Sequence, residues 1–106
     1  MEKRKHPRMV VRNMRIDVSD GMGCCSATVW DISRDGLCLA DLAKRFGKNA
    51  DTYTAVVSSE NRHFKFRVRP KWERAGGPSK RVGVEIHEPT GQWMEYILSL
   101  EAARGQ

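Results

Sequence analysis

A short segment in the first half of the chain carries a carboxylate, a hydroxyl and a glycine at close spacing. Residues 31–36 read DISRDG. The Asp31 carboxylate, at the end of a strand, can accept two hydrogen bonds from the N1–H and N2–H₂ edge of guanine, a donor pair that adenine lacks. Ser33 can bond a phosphate or a neighbouring backbone group, and Gly36 permits a positive φ, which allows a sharp turn or a close approach to a ligand. The same residue types build ordinary hairpin turns.

The second candidate lies at the start of the chain, where residues 1–8 read MEKRKHPR. Arg4 and Arg8 stand four residues apart. Two guanidinium groups can close around a phosphodiester from both sides, because each planar fork pairs bidentately with phosphate oxygens and also matches O6 and N7 of guanine. A solvated basic tail would have the same composition, and Arg8 with Arg12 forms a second pair at this spacing.

The charge balance favours an anionic partner. The 106 residues include 19 Lys and Arg against 13 Asp and Glu, which gives a formal charge of +6. Such an excess suits nucleic acid, a membrane surface or a phosphorylated small molecule. The length fits one domain. No apolar run approaches the roughly 20 residues that span a bilayer, and the first residues lead into no signal-peptide core, so we expect a cytoplasmic protein without a membrane span.

Patterns typical of enzymes and metal sites do not occur in the sequence. Three cysteines, Cys24, Cys25 and Cys38, are an odd number with an adjacent pair, which argues against both a disulfide framework and a zinc site. There is no G-x-S-x-G, H-E-x-x-H, Walker loop or Cys–His pairing. We therefore predict a binding module without a metal or cofactor, and not an enzyme.

Hydrophobic alternation predicts strands through most of the chain. In the fifth predicted strand, Pro70 indicates an edge or a bulge, while Trp72 continues the apolar alternation and favours core packing. Residues 41–52 are expected to form a polar connection, with a short helical turn near 42–46. The six predicted strands cover residues 10–18, 27–32, 37–40, 53–57, 64–72 and 82–86.

The period changes after Pro89. Trp93, Ile97 and Leu100 fall at i, i+4 and i+7, which predicts one apolar helical face from about Thr90 to Gly105. Six strands and a terminal helix indicate a mainly all-β fold, a six-stranded antiparallel β-barrel with a C-terminal α-helix packed on it. We expect one barrel domain over residues 9–106, preceded by the basic leader of residues 1–8.

The order R-x-x-x-R and then D-x-S-x-x-G resembles the PilZ domain family. The likeness extends over roughly residues 3–100. Residues 10–18 look like the family's first strand, and Trp72 followed by RVGVEI at 81–86 looks like its late strand pair. The resemblance implies a six-stranded antiparallel barrel that serves as a bacterial receptor for the second messenger cyclic di-GMP.

The resemblance also implies roles for individual residues. Arg4 and Arg8 would clamp the phosphates and the outer guanine edges of cyclic di-GMP. Asp31 and Ser33 would hold guanine from the barrel surface, with Gly36 shaping the turn. Four further residues are possible ligand contacts: Lys3, at a position related to how many ligands stack; Lys5; Arg34, which would lie over a guanine face or point to water; and Trp72, which would lie beneath a base or in the core.

The function that the resemblance implies is a cyclic di-GMP receptor that relays its signal to an unidentified effector protein in trans. Its outputs would include motility, exopolysaccharide synthesis or adhesion. Two other functions compete with it. One is a small basic barrel that binds RNA or single-stranded DNA. The aromatic residues of the fifth strand alternate with Lys and Arg, so pleating should put them on opposite faces, which makes nucleic acid unlikely. The other is a degenerate member that acts only through protein contacts, and the intact motifs count against it.

Overall fold

The structure, a computed structural model, describes residues 7–48 and 50–104. Within them, seven strands precede a single helix. The elements are β1 (Met9–Val10), β2 (Met14–Ser19), β3 (Cys24–Ile32), β4 (Gly36–Ala43), β5 (Tyr53–Ser59), β6 (Arg62–Gly76), β7 (Ser79–His87) and α1 (Gly91–Arg104).

Six of these strands close into an antiparallel barrel. The hydrogen-bonded order runs β3-β2-β5-β6-β7-β4, and β4 pairs back onto β3. The short strand β1 joins the end of β3 beyond β2, with Met9 opposite Ile32. Closure leaves no open sheet edge in the six-stranded ring, and the predicted six-stranded barrel with a terminal helix is confirmed.

Alternating apolar side chains fill the barrel. On β6 the buried residues Phe64, Phe66 and Val68 alternate with exposed basic residues, as the period-two pattern predicts. Helix α1 buries Trp93 completely, and its indole packs edge-on against Phe64 at 5.3 Å and Phe66 at 5.2 Å. Thr90 begins the helix as predicted, since its hydroxyl oxygen accepts a hydrogen bond from the Trp93 backbone N–H at 3.2 Å.

Several element boundaries differ from the sequence-based predictions, and three of the differences have an identifiable cause. The predicted strand 10–18 is divided in two, because Asn13 takes a positive φ of 59° between β1 and β2. Strand β4 continues to Ala43, because Leu42 turns inward and is fully buried opposite Lys80. The turn predicted near 42–46 therefore begins only at Ala43, whose carbonyl accepts a hydrogen bond from the Phe46 backbone N–H at 3.0 Å. Strand β6 extends to Gly76, since β6 and β7 are joined by only two residues and Gly77 supplies the positive φ of 67°.

A bulge in β6 overturns the prediction that Trp72 packs in the core. Pro70 pairs with Val84 and Trp72 pairs with Gly83, so Lys71 is an extra residue on this strand. An extra residue shifts the in–out alternation by one position. Trp72 therefore moves to the outer face, where it is 42% exposed. The expected bulge at Pro70 is confirmed, and its consequence is an aromatic ring on the barrel surface.

Candidate ligand-binding site

Four residues form a line across the outside of the barrel, which we call the outer row: Asp31, Cys38, Gly83 and Trp72. Asp31 of β3 pairs with Cys38 of β4, Cys38 pairs with Gly83 of β7, and Gly83 pairs with Trp72 of β6. Cys38 and Gly83 each stand between two core residues of their strands, and Asp31 precedes the core residue Ile32, so these positions lie on the outer face, where Trp72 is 42% exposed. A second bulge, with Trp30 as the extra residue of β3, helps to set this register.

Arg8 lies at one end of the outer row. Its guanidinium group is 3.9 Å from the Asp31 carboxylate, with side-chain exposures of 38% and 14%. The pairing of Met9 with Ile32 and of Val10 with Asp31 positions the end of the basic leader here. The structure therefore brings together one residue from each of the two sequence motifs. A half-exposed guanidinium beside a largely covered carboxylate offers donors to an anion and acceptors to a base edge.

The middle of the outer row is uncharged. Cys38 is buried on the outer side of β4. Burial raises the pKa of its thiol above the ordinary value, and the negative charge of Asp31 raises it further, while Arg81 and Arg8 oppose the rise. The thiol therefore stays protonated at neutral pH. Cys38 is therefore a neutral position in the row, next to the charged pair of Asp31 and Arg8.

Gly83 and Trp72 form the far end of the outer row. A Cβ atom on Gly83 would overlap the indole of Trp72. The ring therefore lies directly against the backbone of β7, which only glycine permits at this position. Its half-exposed face is a surface on which a planar base can stack.

The turn between β3 and β4 is held by its own hydrogen bonds. The Ser33 backbone N–H donates to the Gly36 carbonyl at 2.9 Å, and the Ser33 hydroxyl donates to the Asp35 carboxylate at 3.2 Å. Gly36 does not take the positive φ that glycine permits. A Cβ atom there would lie 3.0 Å from the Val84 carbonyl oxygen, so glycine serves the close approach of β4 to β7.

Arg34, in the same turn, contacts helix α1 instead of pointing to water. Its Nε and Nη2 atoms donate to both carboxylate oxygens of Glu101 at 2.8 to 3.2 Å. These hydrogen bonds raise the pKa of Arg34 above its ordinary value. The turn is thus tied to the C-terminal helix through a bidentate ion pair, the strongest geometry for such a contact.

Of the predicted ligand-binding residues, the structure gathers Arg8, Asp31 and Trp72 around the outer row, with Ser33, Gly36 and Arg34 in the adjoining turn. Lys3, Arg4 and Lys5 lie outside the described residues. Three residues were missed as site residues by the sequence reasoning: Cys38, Gly83 and Arg81. These residues could be found only from the pairing of residues across strands. Two bulges change that pairing, so the alternation of apolar residues along the sequence does not predict it.

Among residues 7–48 and 50–104, no cluster of three or more His, Cys, Asp or Glu side chains could hold a metal ion. Within this same part of the chain, helix α1 falls short of the length and apolar character needed to cross a bilayer.

Solved structures with the same fold are known, although their sequences differ widely from this one. The Bacillus subtilis inhibitor of motility (MotI/DgrA) aligns over 99% of this chain and 52% of its own, with a TM-score of 0.78 and 11% identity. The K. pneumonia MrkH–c-di-GMP complex aligns over 100% and 57%, with a TM-score of 0.75 and 17% identity. This chain therefore spans about half the length of those proteins.

A third structure matches the chain over nearly its whole length. The PilZ domain of YcgR from Escherichia coli with c-di-GMP aligns over 97% of this chain and 95% of its own, with a TM-score of 0.71 and 14% identity. No family model matches the sequence, and no curated protein matches it as a sequence relative. With six barrel strands, a terminal helix and this structural agreement, the chain has the fold of the PilZ domain.

Proposed function

We propose that this chain is a receptor for cyclic di-GMP that relays the bound state to a partner protein. The observation that supports it best is the outer row with Arg8 at its end. There a carboxylate suited to guanine, a guanidinium suited to phosphate and an exposed indole share one face of the barrel. Structural neighbours of the same fold were solved with c-di-GMP, which agrees with this assignment.

Each group in the outer row has a distinct task in the proposed complex. Asp31 accepts hydrogen bonds from the N1–H and N2–H₂ groups of guanine. The Arg8 guanidinium pairs with a ligand phosphate. Its 3.9 Å contact with the Asp31 carboxylate is either kept at the same time or given up. Trp72 stacks on a base, a contact that contributes roughly 1–3 kcal/mol per base in comparable sites. The neutral Cys38 thiol lets a base lie close without a charge beneath it.

The remaining predicted residues complete the proposal. Arg4 closes on the ligand from the side opposite Arg8, and Lys3 and Lys5 add positive charge to the leader. Ser33 and Gly36 act mainly by fixing the turn that carries the Asp31 carboxylate, because the Ser33 hydroxyl already donates within that turn.

The relay to a partner protein starts at Arg34. This residue belongs to the turn beside the ligand and is bound to Glu101 on α1. A ligand that binds the guanidinium of Arg34 weakens the Arg34–Glu101 ion pair and alters the packing of α1. A partner that contacts α1 then distinguishes the free receptor from the bound one. Motility, exopolysaccharide synthesis and adhesion are the proposed outputs. The three cysteines are unpaired, which fits the reducing cytoplasm as the proposed location.

Single-stranded nucleic acid is the second candidate ligand, and one observation favours it. The sequence reasoning separated the aromatic residues of β6 from its basic residues, but the bulge places Trp72 on the same outer face as Lys65, Arg67 and Arg69. An exposed ring among basic side chains is also the arrangement of a stacking platform for single strands.

A calorimetric titration discriminates between the two ligands. The chain is titrated with cyclic di-GMP, cyclic di-AMP and a short single-stranded RNA. The proposed function predicts that cyclic di-GMP binds much more tightly than either cyclic di-AMP or the RNA. Preferential binding of the RNA, or equal binding of both cyclic dinucleotides, would contradict the proposal.

A further inference from the structure

A cavity lies on the outer face of the barrel, beside the outer row. Its volume is about 330 Å³. Arg74 and Arg81 contribute to it and lie two residues along β6 and β7 from Trp72 and Gly83, a distance of about 7 Å along each strand. We call it the arginine cavity. The residues that line it include Thr28, Trp30, Asp41, Arg74, Lys80 and Arg81.

The two arginines of the cavity face each other. Arg74 and Arg81 are directly paired across β6 and β7, and like charges in this relation destabilise a sheet. Among the residues that the structure describes, neither arginine forms an ion pair with a carboxylate. An anion placed between the two guanidinium groups would convert their repulsion into two charge-assisted contacts.

An aromatic ring supports one of these arginines. The guanidinium carbon of Arg81 lies 4.8 Å from the centroid of the Trp30 ring. Trp30 is 44% exposed, because it is the extra residue of the β3 bulge and projects from the barrel. A guanidinium plane stacked on an indole leaves its second face open to a planar base.

We propose that the arginine cavity binds one nucleotide unit of a purine nucleotide, with its phosphate between Arg74 and Arg81 and its base stacked on the Trp30–Arg81 pair. The volume lies at the lower end of the roughly 300–1,000 Å³ of small-molecule sites, so it suits one nucleotide and not a whole cyclic dinucleotide. This inference rests on the proposed function, because the nucleotide comes from cyclic di-GMP: either the second half of the molecule at Asp31, or one half of a second molecule.

Calorimetry with cyclic di-GMP tests the cavity and separates the two sources. The wild-type chain is compared with Arg74→Gln and with Arg45→Gln, a matched control at an exposed arginine outside the cavity. If a second molecule binds, the stoichiometry falls from two to one in Arg74→Gln. If the same molecule spans both sites, the stoichiometry stays at one and Kd rises about fivefold or more. Arg45→Gln should change neither. An Arg74→Gln chain with unchanged stoichiometry and Kd would overturn the proposal.

A second measurement keeps this result independent of the site at Asp31. The indole N–H signal of Trp30, assigned by Trp30→Phe, is followed by NMR in an Asp31→Asn chain titrated with millimolar GMP or inorganic phosphate. GMP should shift the signal, and an added Arg74→Gln substitution should abolish the shift. A Trp30 signal that GMP leaves unmoved would overturn the cavity proposal. If cyclic di-GMP fails to bind the wild-type chain but GMP still shifts Trp30, the proposed function is wrong and the arginine cavity stands.

Discussion

The indole of Trp72 lies against Gly83 so closely that no other residue type fits at position 83 without moving the ring. The two residues are direct partners across β6 and β7. The exposed Trp72 ring can keep this orientation only because Gly83, on the neighbouring strand, has no side chain.

Gly83→Ala should displace Trp72 and weaken cyclic di-GMP binding by about tenfold, because the loss of one stacked base contact corresponds to roughly 1–3 kcal/mol. Calorimetry gives the affinity, and tryptophan emission reports the displaced ring. Gly23→Ala is the matched control, since a Cβ atom there meets nothing within 4 Å. Equal affinity in both variants would remove Trp72 from the site.

Arg8→Ala should lower the affinity for cyclic di-GMP by roughly ten- to a hundredfold, because a hydrogen bond to a charged group contributes about 1.5–3 kcal/mol. Arg4→Ala should have an effect of similar size. Arg12→Ala, which disrupts the other pair at the same spacing, should cost less. Calorimetric titrations of the three variants measure this directly, and equal losses for Arg4 and Arg12 would show that the wrong pair has been chosen.

Asp31→Ala should reduce discrimination between bases as well as affinity. Its carboxylate is suited to the two donors of guanine, which adenine lacks. The ratio of the Kd values for cyclic di-AMP and cyclic di-GMP should therefore fall towards one. Asp51→Ala, at an exposed position outside this turn, is the control for the loss of a carboxylate. If the ratio stays as in the wild-type chain, Asp31 is a turn residue only.

Arg34→Gln should uncouple helix α1 from the ligand. In the wild-type chain, cyclic di-GMP should change the hydrogen exchange of amides in α1, because the turn and the helix are joined through Arg34 and Glu101. The variant should still bind ligand but lose this response in the helix. Arg104→Gln, on the last turn of the same helix, controls for the change in charge. A helix response that persists in Arg34→Gln would contradict the proposed relay.

Alkaline pH should destabilise the fold partly through Cys38. Burial raises the pKa of this thiol above its ordinary 9.0 in the folded state, so the unfolded chain loses the proton first. The free energy of unfolding should therefore fall as pH rises from about 9 to the folded pKa. Cys38→Ala should remove part of that fall, and Cys24→Ala, at an exposed position, should not. Urea unfolding at pH 8 and pH 10 gives the comparison, and equal pH effects in both variants would contradict it.

Residue type and spacing suffice to predict most of the fold. The alternation of Phe64, Phe66 and Val68 predicts the inward face of β6, and the spacing of Trp93 and Ile97 predicts the buried face of α1, because both patterns follow directly from backbone geometry. The end of β4 was missed because the polar residue Asp41 interrupts the apolar alternation of this strand. The strand nevertheless continues past Asp41, which adopts a positive φ of 62°.

The candidate site was harder to predict from the sequence than the barrel. Asp31 could be identified from its neighbours along the chain, and Arg8 now lies beside it. Trp72, Gly83 and Arg81 depend on which residues face each other across strands, and that register is set by single extra residues in β3 and β6. Arg34 was expected to meet water or a base, since no local pattern links it to Glu101, 67 residues further along the chain.

The bulge at Lys71 has an evolutionary consequence. The in-frame loss of this one codon would place Trp72 directly after Pro70, where plain alternation keeps the ring on the outer face and opposite Gly83. Arg4, Arg8, Asp31, Ser33 and Gly36 would remain unchanged. A descendant that is one residue shorter would therefore keep both motifs and the aromatic surface, so the length of β6 before Trp72 can change by one residue in evolution while the ring stays in place.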